Sequence, residues 1–318
     1  MGQAAVIFPG QGSQAVGMGK DVAGASERAR NIFLRADDVL GFDLARTCFE
    51  GPAETLEQTD IQQPAIFVTS VAIWQAFLEA GGSREQFSFA GGLSLGEYTA
   101  LHVAGALEFD DALRLVHRRG RLMQEAARAR PGGMVSLIGA DEATATALCD
   151  RAREDDVLAP ANFNCRGQVV ISGSKPACDR AVRLAEEFSC RAVRLAVAGA
   201  FHSPLMATAA ESLAPVLAST TLTEPSIPVV ANVDAEYHRS PATIRESLRR
   251  QVTHPVLWQR CVERMIADGV DRFMEIGPGR VLTGLMRKIN RDVTTINVSS
   301  MDAVCAALPE VESGSPRA

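Results

Sequence analysis

Five residues, Gly92-Leu93-Ser94-Leu95-Gly96, constrain this 318-residue chain more than any other stretch. They join a short apolar run, FSFAGG, to a segment, LGEYTALHVAGAL, whose apolar spacing is helical. A strand that turns into a helix within so few residues crowds its own backbone. Glycine on both sides of the serine removes the Cβ atoms that would collide. The pattern G-x-S-x-G is that of a nucleophile elbow. In such a turn the hydroxyl of Ser94 projects beside the positive end of the following helix. That end, with the amide of Leu95, favours negative charge on a bound carbonyl oxygen. A tight turn carrying a surface serine would fit the same five residues, so the motif alone leaves catalysis and plain structure both open.

The rest of the chain alternates short β-rich runs with longer amphipathic ones, which predicts an α/β fold. AAVIFPG reads as a first strand ending in a glycine turn, and VTSVAIWQAFLEAG as a buried helix closed by Gly81 and Gly82. The middle changes character. GGMVSLIG, DEATATALCDRAR, VLAPANFN, GQVVISG, KPACDRAVRLAEEF and CRAVRLAVA follow one another as β-α-β-β-α-β from Gly132 to Val197. That order predicts a ferredoxin-like subdomain, placed at residues 127–197 and inserted into a larger unit of residues 1–126 and 198–318. The larger pattern then resumes with IPVVANV as a strand, a helix over IRESLRRQV, and RFMEIGPG as a strand ending in a glycine turn. The polar tail PEVESGSPRA is expected to fray.

Composition narrows the function classes. Hydrophobic residues at 47% and charged residues at 22% suit an ordinary folded domain. No apolar run approaches the roughly 20 residues of a membrane span, and the N-terminus lacks the basic-then-apolar pattern of a secretory signal. Seven dispersed cysteines with no C-x-x-C pair argue against a disulfide framework and a zinc site. They suit a reducing, cytoplasmic setting, most of them as core fillers. A net charge of −6 disfavours nucleic acid as a partner. A local basic stretch, RLVHRRGRLMQEAARAR, holds Arg114, Arg118, Arg119, Arg121, Arg128 and Arg130, most of them expected on a solvated helix face.

A serine needs a base to take its proton, and histidine suits that role near neutral pH. Of five histidines, His102 lies two turns along the elbow helix, His117 in the arginine-rich helix, His238 in a polar loop and His254 before Pro255. His202 follows an alternating strand in the loop GAFHSPLM, where α/β architectures place catalytic groups. A solvated loop histidine fits the same position.

Together with FPGQGSQ, QQPAIF, RRGRLMQEA, PANFN, GQVVISG, QVTHPVLW and EIGPGRVLTGL, these segments resemble, in order and nearly end to end, the malonyl-CoA:acyl carrier protein transacylases of bacterial fatty-acid synthesis. Those enzymes are relatives of the acyltransferase domains of polyketide synthases. The resemblance implies an α/β-hydrolase-like core carrying the ferredoxin-like insert, and a ping-pong transfer of malonyl from malonyl-CoA to acyl carrier protein. Ser94 would be the nucleophile, His202 the base, and the main-chain carbonyl of Gln251 the group that orients His202. The backbone amides of Gln11 and Leu95 would form the oxyanion hole, and Arg119 would pair with the malonyl carboxylate. Phe201 would favour an unbranched acyl group, and Gln63 and Asn162 would sit near the site. Where most relatives carry histidine before the nucleophile, this chain has Leu93. No metal or redox cofactor is implied; coenzyme A leaves as product, and a monomer is expected. A serine hydrolase or thioesterase, a polyketide-type acyltransferase and a non-catalytic module that kept the fold are the rival readings.

Overall fold

The computed structural model describes residues 2–312. Strand β1 (Gln3–Phe8) opens the chain, followed by short helices α1 (Lys20–Ala25), α2 (Glu27–Leu40), α3 (Leu44–Glu50) and α4 (Ala53–Leu56) and the long α5 (Thr59–Glu79). Then come β2 (Phe89–Gly92), α6 (Leu95–Val103) and α7 (Phe109–Ala129). A second group follows: β3 (Gly132–Ile138), α8 (Glu142–Arg153), β4 (Leu158–Cys165), β5 (Gln168–Ser174), α9 (Lys175–Leu184) and β6 (Arg191–Arg194). The chain closes with α10 (Ala207–Ser219), α11 (Pro241–Gln251), α12 (Trp258–Ala267), β7 (Val270–Ile276), α13 (Val281–Ile289), β8 (Thr294–Val298) and α14 (Met301–Glu312).

Two sheets organise these elements. The first is parallel, in the order β2-β1-β7-β8, and helices cover it. β1 is buried from Ala4 to Phe8, the continuous apolar run expected of a strand covered on both faces. The second is antiparallel, in the order β4-β5-β3-β6, with α8 and α9 against one face. This is a ferredoxin-like βαββαβ arrangement, and the α/β architecture with its small antiparallel subdomain is as the sequence predicts.

Several elements differ from expectation. IPVVANV is not a strand: only Val229 bridges Ala90, and Val230 already pairs back onto Tyr237. The chain turns there because Asn232 is drawn into the elbow, as described below. The last strand of the insert stops at Arg194, short of the expected run to Ala198. β8 was not foreseen, since TTINV is half polar and only Val298 is fully buried. Helix α5 begins at Thr59, well before VTSVAIW, and is long and apolar enough by composition to cross a membrane. Its buried face extends all round, however, so it is a core helix wrapped in protein. In the tail, α14 keeps its helix through Glu312, and the remainder of PEVESGSPRA lies outside the described residues.

Candidate active site

The elbow closes because three backbones approach one another. A Cβ on Gly92 would overlap the Gly96 carbonyl, one on Gly96 would overlap the carbonyl of Phe8, and one on Gly10 would overlap the carbonyl of Leu93. Packed this way, Ser94 takes φ 51°, ψ −99°, a conformation that costs a non-glycine residue of order 1–3 kcal/mol. Its amide donates to Asn232 Oδ1 at 2.6 Å, and Asn232 Nδ2 donates to the Gly92 carbonyl at 2.8 Å. These two bonds brace the turn on either side of Leu93.

His202 also has positive φ, 57°, and is 5% exposed. Its Nε2 lies 2.9 Å from Ser94 Oγ, and its Nδ1 lies 2.6 Å from the main-chain carbonyl of Gln251. A carbonyl only accepts, so Nδ1 carries the proton and Nε2 is the free acceptor for the serine hydroxyl. Burial, and secondarily the charge of Arg119, pull the His202 pKa down to about 4, while the Gln251 carbonyl works the other way. The imidazole is therefore neutral at pH 7. The other four histidines are engaged elsewhere: His102 on the Leu107 carbonyl, His117 beside the Phe42 ring, His238 on Glu97 and His254 on the Arg250 carbonyl.

Arg119 is the single arginine of α7 that is fully buried. It falls on the apolar stripe Ala112, Leu115, Val116, Arg119, Met123, Ala126, the i, i+3, i+4 face that packs inward. Gly120 lets that face come close: a Cβ there would lie 2.7 Å from the Thr59 carbonyl oxygen of α5. The guanidinium donates from Nη1 to Gln63 Oε1 (2.7 Å), and from Nη2 to both Ser94 Oγ (2.9 Å) and Gln251 Oε1 (2.9 Å). It also sits 5.3 Å from the Tyr98 ring centroid. Burial lowers its pKa, opposed by Tyr98 and Glu97.

A cleft of about 420 Å³ opens in front of Ser94 and His202. One wall comes from the parallel unit, with Gln11, Leu93, Phe201 and Leu285; the other comes from the antiparallel unit, with Met134, Asn162, Asn164 and Val170. Ligand clefts commonly form between structural units in this way. The amides of Gln11 and Leu95 have no acceptor among the described residues. The amide of Ser94 is committed to Asn232, so Leu95 at the start of α6 is the elbow amide available to a ligand. Leu93 makes apolar contact on the same side of the cleft, clustered with Val230, Trp258, Leu282 and Leu285. Thus Ser94, His202, Gln251, Arg119 and Gln63 form one hydrogen-bonded group, while Gln11, Leu93, Asn162 and Phe201 line the space before it.

Three residues escaped the sequence reading: Asn232, Glu97 and His238. His238, expected in a polar loop, is 6% exposed and sits 2.9 Å from a carboxylate oxygen of the fully buried Glu97. Their separation in sequence hid them, since Asn232 and Glu97 meet only once β2 and the 229–238 loop are side by side.

The chain is similar to known proteins over nearly its full length. The family model described as the acyl transferase domain matches residues 6–311. The chain is similar to the malonyl CoA-acyl carrier protein transacylase of Salmonella typhimurium, 42% identical over 311 residues, covering 98% of this chain and 100% of that one. Among solved structures it is similar to an acyl carrier protein S-malonyltransferase from Vibrio cholerae, with TM-score 0.92, 42% identity and coverage of 96% and 99%. It is equally similar to a malonyl-transacylase solved in complex with a type II PKS acyl-carrier protein, with TM-score 0.94, 42% identity and coverage of 97% and 99%.

Proposed function

The chain belongs to the acyl transferase domain family, and from that premise we propose that it moves malonyl from malonyl-CoA to an acyl carrier protein through an ester on Ser94. The observation that carries the reading is the hydrogen-bonded series Gln251 carbonyl, His202, Ser94 Oγ, Arg119 at the floor of a ligand-sized cleft.

In the first half-reaction His202 Nε2 takes the Ser94 proton while Oγ attacks the thioester carbonyl. The negative oxygen of the tetrahedral intermediate is met by the amides of Leu95 and Gln11. As the C–S bond breaks, His202 returns the proton to the departing coenzyme A sulfur. In the second half, the phosphopantetheine thiol gives its proton to His202 and its sulfur attacks the serine ester. The C–O bond then breaks and Ser94 recovers the proton. The Nδ1 bond to the Gln251 carbonyl stabilises the imidazolium in both halves without a buried carboxylate.

Arg119 supplies selectivity. Its guanidinium already points at Ser94 Oγ, so a malonyl unit attached there presents its carboxylate to a buried cation. An acetyl group would leave that cation without an anion. Gln63 holds the second guanidinium nitrogen and fixes the fork. Phe201 fills the wall beside His202 and leaves an unbranched acyl group the better fit. The carrier would dock by charge: Arg280, Arg287, Lys288 and Arg291 are exposed near the cleft mouth, on or beside the helix whose Val281 and Leu285 line it. We place the core at residues 1–126 and 198–318 and the insert at 127–197, with supply of fatty-acid synthesis in the cytoplasm as the setting.

Intact-mass analysis after mixing with malonyl-CoA tests the reading. A malonyl-sized increase that is absent in Ser94→Ala and discharged by holo carrier protein is expected. Steady release of free malonate at the transfer rate would instead mark a hydrolase.

A further inference from the structure

Both backbone polar groups of the nucleophile are held by side chains. The Ser94 amide donates to Asn232 Oδ1 at 2.6 Å, and its carbonyl accepts from Gln251 Nε2 at 3.0 Å. Asn232 lies in the loop after β-bridge residue Val229 and Gln251 ends helix α11, yet they converge on one atom. The Asn232 amide donates to Glu97 Oε2 at 3.0 Å, and Gln251 Nε2 donates to the same oxygen at 2.8 Å. His238 Nε2 lies 2.9 Å from the other oxygen, Oε1. Glu97, Asn232 and Gln251 are each 0% exposed. A buried carboxylate is costly unless its lone pairs are satisfied, and no step of the reaction uses this one.

The Gln251 amide lies between opposite charges. Its oxygen accepts from Arg119 Nη2 and its nitrogen donates to Glu97. The amide dipole is thus aligned with a cation at its oxygen and an anion at its nitrogen, an arrangement in which each bond strengthens the other. A carboxylate in direct contact with Arg119 would compete with the substrate's own carboxylate. A carboxylate one amide away holds the guanidinium charged and aimed, and leaves Nη2 facing Ser94 Oγ, where the acyl group arrives.

We propose that Glu97 is a positioning residue for malonyl transfer: through Asn232 and Gln251 its carboxylate holds the strained serine turn and the carboxylate-binding arginine in one register. The inference rests on the malonyl-transfer reading. Because the Gln251 main chain also orients His202, Glu97 braces the base as well as the nucleophile.

The test is single-turnover acylation with malonyl-CoA and acetyl-CoA, followed by intact mass and normalised to the reactive fraction. Glu97→Gln keeps the size but turns one acceptor into a donor facing donors. It should lower the malonyl-to-acetyl ratio of acylation rate constants at least tenfold. Gln251→Met retains the carbonyl that holds His202 while cutting the amide bridge, and it should lower the ratio similarly. The double variant should be no worse than the poorer single. A ratio within twofold of the parent in both single variants, whatever happens to thermal stability, overturns the proposal and leaves Glu97 a structural residue. Should Glu97→Gln fail to fold, Gln251→Met decides alone. Arg119→Ala separates the two levels: if it leaves the ratio intact, the carboxylate reading itself is wrong. If it collapses the ratio while the other two do not, only the role of Glu97 falls.

Discussion

At the scale of single residues, His202 makes a pH prediction. Its pKa of about 4 reflects burial first and the Arg119 charge second. Because kcat/KM reports the free enzyme, its acid limb for malonyl-CoA should stay level through neutrality and fall only as pH approaches 4. A malonyl carboxylate bound to Arg119 offsets that charge, so the limb of kcat should lie at higher pH than the limb of kcat/KM. Coincident limbs would show that Arg119 and the substrate carboxylate do not pair beside His202. The same shift has a stability sign. With the folded pKa below the usual 6.5, the unfolded chain binds the extra proton between the two values. Stability is therefore fully present above pH 6.5 and declines as pH falls towards 4, by about 3 kcal/mol from this one group. Urea titrations at pH 7 and 4.5 should show a shallower loss in His202→Gln than in the parent. Arg119→Ala should slow malonyl acylation by about a hundredfold or more, the effect of removing one partner of a buried charge pair, while relative use of acetyl-CoA rises. Stopped-flow comparison of the two thioesters reads both effects. Arg119 was set apart from its five neighbours only by the resemblance, although its place on the apolar stripe of α7 is a local signal that marks it as the inward-facing one. Asn232 and Glu97 were not legible, because nothing local in 230–238 says that the loop will face the elbow.

At the scale of elements, the elbow is a joint between β1, β2 and α6 in which glycine is required by contact with backbone. In Gly96→Ala the added methyl would meet the Phe8 and Pro9 carbonyls, atoms that move only with the strand itself. Overpacking of this kind costs about 1–3 kcal/mol, more than the approximately 1 kcal/mol that alanine returns to a helix. The variant should melt at lower temperature and acylate more slowly, since Leu95 and its amide move with α6; an unchanged melting temperature would refute the contact. The strand–turn–helix signal that foretold this joint was local and therefore readable. IPVVANV misled for the opposite reason: its apolar residues suit a strand, but Asn232 satisfies the elbow and ends the pairing after Val229 and Val230. β8 was invisible because three of its five residues, Thr294, Thr295 and Asn297, are polar, and at the edge of the sheet, beside α13 and α14, only Val298 is fully buried. The βαββαβ order was legible because its strands alternate locally and their turns fall where glycine and polar residues cluster.

At the scale of the whole molecule, a net charge of −6 coexists with four exposed basic residues, Arg280, Arg287, Lys288 and Arg291, for which no acidic partner is seen among the described residues. Acyl carrier proteins are generally acidic, so on the proposed reading attraction to this acidic protein has to be local. Reversing the charges of Lys288 and Arg291 together should raise the Michaelis constant for carrier protein severalfold at low salt. The effect should shrink as ionic strength rises, with acylation by malonyl-CoA unaffected. An unchanged constant at low salt would move the docking site elsewhere.

The two-walled cleft also bears on how such a protein could be altered. Arg119, proposed to pair with the acyl carboxylate, and Gln63, which accepts from its guanidinium, lie beside the serine in the parallel unit. The opposite wall is built by a separately packed sheet with its own apolar interior. Choice of cargo and fit to the incoming arm are therefore written in different parts of the polypeptide. A chimera that exchanges the antiparallel unit for that of a relative would reshape the channel for the incoming arm while keeping both Arg119 and the basic patch beside α13.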